Sequence, residues 1–404
     1  MYLSALLSRG GSSALSERTP WLKVFALYAC GMGAGLQFAK ASVLFDALSA
    51  HYGAGPVLSG WFVSAVGLVG VVFGATAGLI VARIGSRPAL IGALAAGTVI
   101  SGLEAFLPPL VGFLALRAVE GAAHLTLVVA APTAMVGLVA PRSRPIALGL
   151  WGTFMSVAFL VAGATAPAIN AHFGLGAPFF AHALLLAGLC LAARWAAPAS
   201  LPVTAQIFSW RALFAQHVEV YANARTATPA LCFLAYTGMY LALQTLTPEL
   251  APTGERAALI MGMSLVSIVA SLAAGGLAQR GLSPFALTIA AFIATLAASL
   301  LVQAAVGHDG WFSPAALFRM AFLSFLPGAI LPMIPRLNAH APEQARAFGA
   351  LAQTGNVGSA LGPPLFAAVF AAIGPVGLLI PTAALCLLGI ALAAWAAKRF
   401  GKAD

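Results

Sequence analysis

The stretch Leu110-Val-Gly-Phe-Leu-Ala-Leu-Arg117-Ala-Val-Glu120-Gly-Ala-Ala-His124 opens an almost unbroken apolar run to Ala140, and its reading decides the fold. A run of about thirty such residues is long enough to cross a bilayer as a helix. Arg117, Glu120 and His124 are spaced by three and four, so they fall on one side of that helix. Ionisable groups at membrane depth are costly and turn towards a partner or a watery cavity. Two readings follow. Arg117 and Glu120 form an ion pair that only packs helices, or the trio lines a path and handles charge and protons.

Composition extends this reading to the whole chain. Of 404 residues, 61% are hydrophobic and only 7% charged, against about 25% charged in soluble domains. Membrane-spanning strands would alternate in polarity, which these runs do not. The expectation is an all-α integral membrane protein, each span satisfying its own backbone. The 42 glycines suit close helix approach in lipid. A net charge of +10 does not imply nucleic acid, because the basic residues sit where membrane topology puts them. Cys30, Cys190, Cys232 and Cys386 lie singly in apolar runs, without metal-ligand spacing, so no metal site or cofactor is expected. Residues 1–20 lack the apolar core of a signal peptide, and the first span is expected to direct its own insertion.

Proline, glycine and charge clusters divide the chain into spans at 21–47, 57–82, 88–107, 110–140, 145–169 and 176–196. Six more follow at 228–248, 257–279, 284–306, 312–334, 345–372 and 375–397. The polar interval 197–227 reads as a cytoplasmic linker with a surface helix near 207–221. It separates a six-helix unit, 1–196, from a second one, 228–404. With both termini inside, cytoplasmic segments and adjoining span ends hold sixteen of the twenty Lys and Arg residues. Arg256 lies in an outer loop. Asp46, Glu104, Glu249, Glu255 and Asp309 fall in outer loops or at outer span ends. Lys40, Arg117 and Arg319 lie within spans. The halves repeat: Arg117 and Arg319 are 202 residues apart, and Ala147-Leu-Gly149 and Ala347-Phe-Gly349 are 200 apart.

Between spans two and three, Gly78-Leu-Ile-Val-Ala-Arg83-Ile-Gly85-Ser-Arg87 resembles the loop motif of the major facilitator superfamily. Ala82 stands where that family usually carries Asp. Leu116-Arg117-Ala-Val-Glu120-Gly121 is similar to the family's Arg-x-x-x-Gly signature. Gly149-Leu-Trp-Gly152 through Pro167 is similar to its antiporter motif without the Gly-Pro-x-x-Gly-Gly core, and Gly358-Ser-Ala-Leu-Gly362-Pro363 carries part of that form. The resemblance implies two pseudo-symmetric six-helix bundles and a loop at Gly78, Arg83, Gly85 and Arg87 that latches the halves. It also implies a central cavity lined by spans one, four, seven and ten, with parts of two, five, eight and eleven.

On those spans the polar residues are Gln37, Lys40, Tyr236, Tyr240, Gln244, Arg319, Gln353 and Asn356, which are expected to bind substrate. Each amide serves equally as an interhelical hydrogen bond, the tyrosines equally as packing groups, and Lys40 equally as a side chain reaching the interface. Glu120, Arg117 and His124 are the expected proton-handling group, with His124 expected to be the only histidine deep in a helix. Counting Lys40, Arg117 and Arg319 against Glu120 gives a cavity of about +2, which favours an anionic or zwitterionic organic solute. A drug-efflux antiporter, a membrane-embedded enzyme and a non-transporting receptor are the competing readings. No Walker-type nucleotide loop occurs. The expectation is a proton-coupled monomer, not an enzyme, in the inner or plasma membrane.

Overall fold

In a computed structural model, the described residues are 19–74, 76–140, 143–199, 218, 221–308, 310–338 and 341–401. Among them, twelve helices are long and apolar enough to cross a membrane. The first six are α1 (Trp21–Val43), α2 (Pro56–Phe73), α3 (Ser86–Glu104), α4 (Leu110–Leu138), α5 (Gly149–Phe173) and α6 (Ala177–Ala196). The others are α7 (Ala224–Leu250), α8 (Thr253–Gln279), α9 (Pro284–Ala305), α10 (Phe312–Leu337), α11 (Arg346–Ile373) and α12 (Val376–Phe400). The linker expected over 197–227 falls mostly outside the described residues, as do 1–18 and 402–404.

Local chemistry sets the boundaries. Prolines occupy the first turn of α2, α6 and α9, where a missing N–H costs nothing. Gly85, Gly174 and Gly374 take positive φ at helix ends. The sequence suggests one span over 57–82, but α2 stops at Phe73 and a separate helix, Ala77–Ile84, follows. At the break, Thr76 turns both its N–H and its hydroxyl onto the Phe73 carbonyl. That local bond competes with helix continuation.

The packing repeats with a period of six helices. In the first half α1 packs on α4, α5 and α6, while α3 packs on α4 and α6 and α2 packs on α4. Adding six to each number gives the contacts of the second half: α7 on α10, α11 and α12, α9 on α10 and α12, and α8 on α10. The two bundles meet mainly through α2 on α11 and α5 on α8, a pair that the same shift exchanges. This is a two-fold pseudo-symmetric helical fold.

Small residues allow the seam to close. A Cβ on Gly60 would lie 2.6 Å from the Pro364 Cα, so α2 reaches the α11 backbone only through glycine. Prolines inside α4, α5, α10, α11 and α12 are accommodated because neighbouring helices cover the interrupted ladder.

Candidate functional site

The interior of the first bundle holds a buried charge cluster built from α1, α3 and α4. Glu104 ends α3, and the turn at 105–109, with Pro108 and Pro109, reverses the chain into α4. The hairpin sets Glu104 beside Arg117, which lies two turns into α4. Across from both, Lys40 stands near the end of α1. Its ammonium is 2.7 Å from Glu104 Oε2 and 2.8 Å from Glu120 Oε1. Arg117 Nη1 bridges the same two carboxylates, 3.5 Å from Glu104 Oε1 and in direct contact with Glu120 Oε2. Lys40 is 3% exposed and the other three are fully buried.

Two cations and two carboxylates make this cluster formally neutral. Arg117 also donates from Nε to the Phe62 carbonyl at 2.8 Å and from Nη2 to the Gln37 carbonyl at 2.6 Å. Phe62 lies just before a 3-10 turn, Ala65–Gly67, where the helical ladder of α2 is interrupted. Such complete pairing offsets the cost of burying this guanidinium.

Ser101 and His182 complete the site. The His182 ring nitrogen Nε2 lies 3.0 Å from the Gly33 carbonyl. A carbonyl only accepts, so Nε2 carries hydrogen. Nδ1 then accepts, from Lys40 at 3.1 Å and from the Ser101 hydroxyl at 2.8 Å. Lys40 also donates to Ser101 Oγ and lies 5.1 Å from the centroid of the Phe179 ring.

This geometry corrects several sequence expectations. Glu104 does end its span, as the sequence places it, but its carboxylate turns into the core, because the tight α3–α4 turn folds it against Arg117. Lys40 does not reach outward; two carboxylates hold it. The +2 tally fails, since Glu104 and Glu120 balance Lys40 and Arg117. His124 is not the only deep histidine, for His182 is 5% exposed. His124 itself bonds the Ala34 carbonyl at 3.1 Å and packs edge-on to Phe38, one turn away from the cluster. Ser101, Glu104 and His182 escape the sequence reading. Their one sequence signal is the three-residue spacing of Ser101 and Glu104 on α3.

The other candidate residues divide among three places. Gln37 is fully buried in the first bundle near Gly97, and neither amide atom has a hydrogen-bond partner. Gln244 ties α7 to α8, donating to Ser264 Oγ at 3.1 Å. Arg319 lies inside the second bundle, where Nη2 donates to the Thr247 hydroxyl. These three therefore face bundle interiors. Tyr236, Tyr240, Gln353 and Asn356 belong to the seam. Tyr240 stacks at 5.4 Å on Tyr236, which packs on Phe233, and its hydroxyl lies 3.3 Å from Ser156 Oγ of α5. Gln353 donates to the Val71 carbonyl at 2.9 Å and accepts from Tyr221 at 3.0 Å. Asn356 donates to the Ala352 carbonyl at 2.8 Å, and a Cβ on Gly70 of α2 would strike its amide.

The loop residues sit at one end of the first bundle. Gly85 takes φ 92° and ψ 141°, a conformation essentially reserved for glycine. It lets Ala77–Ile84 end and α3 begin with no other residue between them. Arg87 Nη2 donates to the Arg194 carbonyl at the end of α6, at 2.6 Å, a bond inside the first bundle. Arg83 and Gly78 are exposed. At the opposite end, Arg256 contacts Asp46 across the seam and Glu249 at 2.6 Å.

No curated protein matches the sequence. The Major Facilitator Superfamily model matches residues 25–337, which covers all of α2–α10 and most of α1. With twelve apolar helices in two pseudo-symmetric bundles, the chain is a multi-pass membrane protein that belongs to the Major Facilitator Superfamily of transporters.

Proposed function

We propose that this transporter is a proton-coupled secondary carrier of a small organic solute, with Lys40, Glu104, Arg117 and Glu120 as its coupling site. The observation that carries the reading is the burial of four charges in one neutral, mutually bonded cluster. Each carboxylate holds both cations, so a proton arriving at either one leaves net positive charge and weakens two ion pairs at once. A step of that kind is costly inside a bundle and favours a rearranged packing. Glu120 takes the proton in this reading, because Ser101 Oγ, 3.5 Å from its Oε1, can accept from the neutral carboxyl. Alternating access follows as the two bundles rock about the α2–α11 and α5–α8 contacts.

The solute sits between the bundles, against Tyr236, Tyr240, Ser156 and Phe233. The described residues there offer hydroxyls and aromatic faces, and Lys40 and Arg319 are turned into the bundles instead. That lining favours an uncharged or amphipathic solute over an organic anion. The termini face the cytoplasm in this reading, as the basic span ends indicate, and the Asp46–Arg256 pair closes the outer end.

Counterflow in proteoliposomes, with and without a pH gradient, tests the proposal using matched anionic, neutral and cationic aromatic solutes. Solute accumulation that follows the gradient and is lost in Glu120→Gln supports coupling at this site. Unaltered accumulation in Glu120→Gln removes the cluster from coupling.

A further inference from the structure

The second bundle buries an arginine without the carboxylates that surround its counterpart in the first. Arg319 is 2% exposed, and among the described residues its Nη2 reaches only the Thr247 hydroxyl and its Nε has no partner. Among the described residues it forms no ion pair. A guanidinium cannot shed its proton under ordinary conditions, and a buried unpaired charge is strongly unfavourable. No carboxylate among the described residues supplies the counter-charge.

The space for it lies beside the guanidinium. A narrow pocket of about 220 Å3, counting its open mouth, runs between α9, α10 and α12. Ser299, Gln303, Val306, Leu378 and Arg319 line it. Leu250, Val306 and Pro375 also line it, and they stand at the bundle end that carries Asp46 and Arg256, so the pocket opens towards that side. Its inner part has room for about one water-sized body.

Pseudo-symmetry explains why the pocket is there. The helices α4 and α10 begin at Leu110 and Phe312, 202 residues apart, the same offset as Arg117 and Arg319. Applied to α3, that offset turns Ser101 into Gln303 and Glu104 into Val306. Both replacements line the pocket. Where the first bundle fills this position with a carboxylate, the second has a shorter apolar side chain, and a void next to an unneutralised cation.

We propose that the second bundle binds a small inorganic anion of about chloride size between Arg319 and Gln303. Arg319 supplies the charge and the unpaired Nε–H, and the Gln303 amide supplies a further donor. Val302, Val306 and Leu378 surround the rest of the position with apolar side chains, which strengthens the attraction. The same chemistry could come from a lipid phosphate, but a phosphodiester carries its glycerol with it, which the narrow inner part does not admit. The site is separate from the coupling cluster and from the seam between the bundles.

The test is thermal unfolding of the purified full chain in detergent, in gluconate at fixed ionic strength, with titrated chloride. The expected result is a saturable upward shift of the midpoint with chloride. Arg319→Gln should abolish it. Val306→Glu supplies the carboxylate that the first bundle has at this position. It should raise the midpoint in gluconate and remove the response to chloride, and it decides the matter if Arg319→Gln does not fold. Phosphatidylglycerol added in gluconate forms the lipid arm. The proposal is overturned if wild-type midpoints agree in chloride and gluconate. It is equally overturned if the halide shift survives Val306→Glu, or if only the lipid produces an Arg319-dependent shift.

Discussion

Glu104 and Lys40, 64 positions apart in sequence, meet at 2.7 Å with both side chains almost wholly buried. The contact joins the last turn of α3 to the last turn of α1 and makes the charge of the buried cluster sum to zero. Removing one partner leaves the cluster with one uncompensated buried charge. Lys40→Met and Glu104→Gln are each expected to cost about 3–5 kcal/mol of stability. The double variant restores neutrality with Arg117 and Glu120 still paired, so it should be more stable than the sum of the single losses predicts. Chemical unfolding of all four proteins in detergent gives the coupling energy.

For Glu120 the expected signature separates energy coupling from solute binding. Glu120→Gln keeps the shape and removes the titrating group, so accumulation driven by a pH gradient should fall to background while solute exchange persists. Glu120→Asp, which keeps the acid, should retain part of the accumulation. Parallel exchange and accumulation assays in the same vesicles provide the check.

Gly85 is held at φ 92° between two helices. Gly85→Val forces a branched side chain into that conformation at a cost of about 1–3 kcal/mol. Because the residue is remote from Tyr236 and Tyr240, solute affinity should stay within two-fold, by about 0.4 kcal/mol or less, while turnover slows. An affinity loss at normal turnover would show that the loop acts on the binding site.

Across the seam, Arg256 contacts an Asp46 that is 57% exposed. Pairs this open to solvent are worth about 0.2–1 kcal/mol. Asp46→Asn should therefore shift the balance between closed and open outer ends by no more than about five-fold. High salt should reduce the wild-type protein to the same level. Labelling of a cysteine introduced at Thr245, which lies 2.6 Å from Ser42 across the same seam, measures that balance.

The spans were legible because hydropathy is a local property. Leu110 begins α4 where the sequence places it, and Ala177 begins α6 within one residue of expectation. The break after Phe73 was not legible, since it comes from local hydroxyl bonding inside an apolar run. The three-and-four spacing was enough to put Arg117, Glu120 and His124 on one side of a helix. It was not enough to tell which of them share a partner, and the structure separates His124 from the other two.

By itself, then, the sequence determined the membrane environment, the twelve helices and their two-fold repetition, because burial in lipid acts on each segment alone. Tertiary structure decided where the charges balance. The sequence places Glu104 at the end of its span, and the Pro108–Pro109 turn folds that end onto Arg117; Arg319 lies inside the second bundle beside α9 and α12. Electrostatic free energy depends on distances between groups far apart in the chain, and only the packed helices set those distances.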